Sequence, residues 1–119
     1  MNPRRIVDLA EVMTAMEAVV AEAGEDFVYT NESHTACRYL DDGEPSCIVA
    51  HVVAAITPEA VSELEEFEYR NALDLNLSTV IFDPQAAQFL YDAQFVQDAP
   101  GETWGKALTV AKANAFLTP

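Results

Sequence analysis

The chain has 119 residues, half of them apolar, which is enough material for one hydrophobic core and too apolar for a disordered tail. Twenty acidic residues against six basic ones give a net charge of -14. That balance works against direct nucleic-acid binding, which needs Lys and Arg to displace phosphate counterions, and against docking on an anionic membrane surface. It suits solubility, or a basic protein partner.

No apolar run approaches the roughly 20 residues of a membrane helix. The opening Met1-Asn2-Pro3-Arg4-Arg5 leads into an amphipathic stretch carrying Asp8 and Glu11, unlike the uncharged core of a secretory signal. Cys37 and Cys47 are too few for a disulfide scaffold, so a reducing, cytoplasmic setting is expected.

In chain order, the first expected element is a helix over 3–23. Asn2 would cap it and Pro3 would take its first position. Ile6, Leu9, Met13, Met16 and Val20 recur at spacings of three and four, one stripe down a helix, and Gly24 would end it. Residues 27–30 and 37–40 are rich in β-formers and predict a β-hairpin, followed by a turn at Asp41-Asp42-Gly43.

A helix over 46–56 is apolar nearly all round, which places it at the centre of the core. Thr57-Pro58-Glu59 starts another over 58–68, with a narrow apolar face of Val61, Leu64 and Phe67. Leu73, Leu75 and Leu77 alternate with polar residues, and Thr79-Val80-Ile81-Phe82 is β-like, so a strand is expected within 70–82. Asp83-Pro84 repeats the cap-and-proline device ahead of a helix over 84–97. Thr103 would cap the last helix, 103–116, which should pack antiparallel on the one before it. The expected fold is therefore α+β, mainly α: about five short helices packed with a small β-hairpin, in a single globular domain over 1–119.

Two stretches carry a resemblance. One runs from Cys37 to Val53 and contains Gly43-Glu44-Pro45-Ser46-Cys47-Ile48-Val49. The other runs from Ala93 to Leu108 and contains Gln97-Asp98, Trp104-Gly105 and Ala107-Leu108. Together they resemble a group of small proteins from actinobacteria and their phages that carry G-x-P-S-C-[IL]-V and, later, Q-D-x-G-x-x-W-G-x-A-L. Ala50 stands where that group often has Gly, and the spacing from Asp98 to Trp104 departs from its pattern. The resemblance implies no reaction. It implies a cytoplasmic protein encoded by a phage or prophage.

The most pointed constellation is His34, Cys37, Cys47 and His51, read as H-x-x-C and C-x-x-x-H. Two thiolates and two imidazoles make a tetrahedral structural zinc set, although these pairings are not the standard finger spacings. The competing reading makes both cysteines small buried apolar residues. Cys47 with His51 as base is a further possibility, but two side chains one turn apart project side by side, and no third orienting group is identifiable. Asp41-Asp42-Gly43-Glu44 is too short for a calcium loop.

Glu63, Glu65, Glu66 and Trp104 are candidate partner-binding residues: acids on a solvated helix face, and a single tryptophan of the type enriched at interface hot spots. For Trp104, packing against the preceding helix near Phe95 and Val96 is the favoured alternative, since Gly105 permits a close approach. The expected function is a non-enzymatic interaction or regulatory protein that binds a host protein, with no cofactor. A zinc-stabilised domain and an acidic nucleic-acid mimic are the alternatives.

Overall fold

The computed structural model describes residues 4–29, 38–68 and 70–117. In chain order these form β1 (Arg5–Val7), α1 (Leu9–Ala23), β2 (Leu40–Asp41), β3 (Glu44–Pro45) and α2 (Ile48–Ile56). A 3-10 helix (Pro58–Phe67), a 3-10 turn (Ala72–Asp74), β4 (Val80–Phe82), α3 (Pro84–Gln97) and α4 (Trp104–Leu117) follow. The fold is α+β and mainly helical, with two small two-stranded sheets. Among the described residues no helix is long and apolar enough to cross a membrane.

The first helix begins later than expected. Asp8, not Asn2, is its cap: the Asp8 carboxylate accepts the Glu11 N–H at 3.0 Å. Residues 5–7 instead pair in parallel with β4, in the register Arg5–Val80, Ile6–Ile81 and Val7–Phe82. Ile6 therefore leaves the helical stripe and is 65% exposed. Its place in that stripe was a coincidence of spacing. The Arg5 guanidinium is held further above its ordinary pKa by its hydrogen bond to Glu11.

The two paired strands are followed by the same device. Asp83 caps α3 by accepting from the Ala86 N–H at 2.8 Å, as Asp8 caps α1. Two strand–Asp–helix units thus run side by side, and the parallel pairing of β1 with β4 sets α1 against α3.

The hairpin expected from 27–30 and 37–40 falls partly on residues outside the described ones. Within them, Val28 bridges Thr103 in antiparallel fashion, and the hairpin is β2–β3. Asp42 and Gly43 have φ of 53° and 82° at its two central positions. Positive φ at both is what a tight two-residue Asp-Gly hairpin requires.

Core placement follows the apolar pattern of α2. Ile48, Val49, Ala50, Val52 and Val53 are buried, while Ile56 is only half-buried. Val52→Ala should lower stability by about 1–3 kcal/mol through lost burial and a cavity. Urea denaturation checks this, and a change under about 0.5 kcal/mol would contradict it.

The helix expected at 58–68 is a 3-10 helix, not an α-helix. The Thr57 hydroxyl makes no cap bond there, being held by Thr79 and Glu59 instead. The Leu73–Leu77 alternation is no strand: Asn71 accepts from the Leu73 N–H and starts the 3-10 turn. Thr103 caps α4 through the Lys106 N–H, and α4 packs antiparallel on α3, with Trp104 beside Gln97 and Ala115 near Gln85.

Candidate functional site

Of the four residues in the proposed zinc set, His34 and Cys37 lie outside the described residues. Cys47 is buried and free, at the cap position of α2. His51, one turn on, is half-buried, and its Nδ1 lies 3.0 Å from the Cys47 carbonyl oxygen. Among the described residues no three His, Cys, Asp or Glu side chains are grouped to hold a metal. A buried Cys47 thiol is poorly placed to meet a substrate, which weakens the Cys47–His51 nucleophile reading.

Glu63 is engaged within the chain. Its carboxylate accepts from the Ser78 N–H at 2.8 Å and from the Ser78 hydroxyl. It tethers the 3-10 helix to the turn before β4 and is half-buried. Glu65 and Glu66 are exposed and carry no side-chain partner among the described residues.

Trp104 is corrected as an exposed anchor, being 1% exposed. Nor does it pack beside Phe95, which is 68% exposed. Its ring lies 4.6 Å from Phe27 and 5.3 Å, edge-on, from His51. Gly105 permits the approach: a Cβ there would meet the Glu25 carbonyl oxygen at 2.7 Å. The Gly105 N–H donates to that same oxygen, and the Trp104 N–H to the Phe27 carbonyl. Trp104 emission should accordingly be blue-shifted and poorly quenched by acrylamide. A red, readily quenched emission would contradict this packing.

The residues that organise this region include two that composition hid. Gln94 and Gln97 are buried on the inward face of α3. Gln97 Oε1 accepts from the Ile48 N–H at 2.7 Å and from the Trp104 indole N–H at 3.1 Å. Cys47 supplies no side-chain cap to α2, so Gln97 satisfies an orphan donor of that helix from another element. Gln94 Oε1 accepts from the Ala72 N–H at 2.8 Å, and its Nε2 donates to the Tyr39 hydroxyl at 3.0 Å. That hydroxyl donates in turn to the Arg70 carbonyl. Glu68 Oε1 accepts from the Tyr39 and Leu40 N–H groups. A buried network satisfied in this way specifies one arrangement of α2, α3 and the intervening turns.

No protein-family model, curated protein or solved structure matches the chain.

Against the Trp104 region lies a cleft of about 430 Å³ between the C-terminal halves of α1 and α2. It is lined by Val19, Glu22 and Ala23 of α1, by His51, Ala54 and Ala55 of α2, and by Phe27 and Trp104. Its walls are mostly apolar, with one carboxylate and one imidazole. A second, smaller groove of about 220 Å³ lies where the start of α3 meets the end of α4. The larger cleft combines shape with titratable groups and is the stronger candidate site.

Proposed function

We propose that the chain is a non-enzymatic interaction or regulatory module that binds a basic protein partner. Its resemblance to small actinobacterial and phage proteins supports a phage- or prophage-encoded setting, with a host protein as the partner.

One observation carries this reading. All six basic side chains are engaged within the chain, whereas a large part of the acidic charge is not. Arg5, Arg38, Arg70, Lys106 and Lys112 pair with Glu11, Glu68, Asp74, Glu102 and Glu17, and Arg4 donates to Asn76 and the Leu77 carbonyl. Other acids cap helices or tether turns. Three exposed groups remain without a side-chain partner among the described residues. They are Glu22, Glu25 and Asp26 at the end of α1; Asp41, Asp42 and Glu44 on the β2–β3 hairpin; and Glu65 with Glu66. Unpaired surface charge of one sign steers and orients a partner of the other.

The immobilised protein, exposed to an actinobacterial lysate, should enrich a basic protein that is released by about 0.5 M salt, where screening is short-ranged. Repeated failure to enrich a partner, or a partner retained equally at high salt, would contradict the proposal.

A further inference from the structure

We propose that the cleft between α1 and α2 is a binding site for an organic ammonium ion: a primary or secondary amine carried on an apolar stem.

The first observation is the state of His51. A carbonyl oxygen can only accept, so the contact with Cys47 places a proton on Nδ1, and in the neutral ring the lone pair is then on Nε2. Nε2 makes no hydrogen bond, yet no buried side-chain nitrogen or oxygen among the described residues lacks a partner. Nε2 is therefore accessible, on a ring that lines the cleft. The site presents a hydrogen-bond acceptor with its tautomer fixed from behind, and a ligand must bring the donor.

The second observation is the field. Glu22 lines the cleft, and no Lys or Arg does. The cleft also lies towards the C-terminal ends of α1 and α2, neither of which has a basic residue in its last turn. Each such end carries a partial negative charge, and here no side chain offsets it. A cation is favoured and a carboxylate is opposed.

The third is the apolar lining. Phe27, partly exposed, offers aromatic surface to a cation or to a stem, and Val19 with Ala54 offers aliphatic surface. An ammonium would donate an N–H to Nε2 and set its charge towards Glu22, while its stem displaces water from these walls. The same chemistry is found in a free amine and in a lysine side chain of a partner.

The test is a titration of the full chain with 2-phenylethylammonium chloride, followed by NMR at the Trp104 indole and the His51 ring. Nα-acetyl-lysinamide and 3-phenylpropionate are titrated in parallel. Saturable shifts at both residues are expected with the phenylethylammonium ion, and little change with the carboxylate. Tighter binding of the aryl amine assigns a free amine as the ligand; tighter binding of the lysine derivative assigns a side chain. Glu22→Gln, at an exposed position with no partner to lose, and His51→Phe, which keeps a ring against Trp104, should each weaken binding at least about fivefold. Absence of saturable shifts, equal binding of the carboxylate, or unchanged affinity in the Glu22→Gln protein would overturn the site. The free-amine arm needs no protein partner, so its outcome is independent of the partner-binding proposal.

Discussion

Gln97→Leu should be among the most damaging single changes in this protein. Leucine has nearly the same bulk but leaves the Ile48 N–H and the Trp104 indole N–H without an acceptor in a buried setting. Each stranded donor costs about 1–3 kcal/mol, so a combined loss of about 2–6 kcal/mol is expected. That is a large share of the roughly 5–15 kcal/mol that holds a domain together. In urea the midpoint should fall with little change in slope. A loss under about 0.5 kcal/mol would show that the two donors find other acceptors, and that Gln97 does not hold α2 against α3.

Trp104→Ala is the second large effect. The indole is almost fully buried, stacks at a tilt on Phe27 and meets His51 edge-on. Removing so large a buried ring costs about 3–5 kcal/mol through lost burial and a cavity. It also strands part of the Gln97 amide oxygen's bonding. Trp104→Phe should recover most of the packing and not the hydrogen bond, and so fall between wild type and alanine. Equal stability of the alanine variant and wild type, measured by thermal unfolding, would return Trp104 to the surface.

What the sequence revealed divides by distance along the chain. Asp83-Pro84 marked the start of α3 because cap and proline act within one turn, and the helix runs Pro84–Gln97 as expected. α2 was recognisable as central because its apolar residues cover most of its circumference. The strand at 5–7 was hidden, since its partner lies more than 70 residues away and no local period records that pairing. Ile6 stood three residues before Leu9 and so mimicked a helical stripe. Thr57-Pro58 located a helix start correctly but not its type: the element is a 3-10 helix, and the Thr57 hydroxyl bonds Thr79 and Glu59 rather than capping it.

The candidate site was less legible than the fold. Trp104 and His51 stood out as residue types, but their neighbour Phe27 arrives from a segment expected in a hairpin. Gln94 and Gln97 were the missed pair. A signal did exist: they continue the Leu90–Ala93 face at helical spacing, and a polar residue at a core position implies a buried bonding partner. Which partner it would be, the sequence could not say, because the Ile48 N–H lies 49 residues away.

The proposed partner binding rests on the unpaired acidic surface. The most direct test compares capture of the salt-released partner by wild type and by charge-reversed Glu65→Lys/Glu66→Lys, two exposed positions whose carboxylates hold nothing in the fold. Charge reversal at Asp41 and Glu44, which leaves the positive-φ Asp42 in place, serves as a second variant, with circular dichroism confirming that each remains folded. At least one pair should lower affinity about tenfold or more, mainly by slowing association, and the deficit should shrink as salt rises. Unchanged affinity in both variants at low salt would contradict the claim.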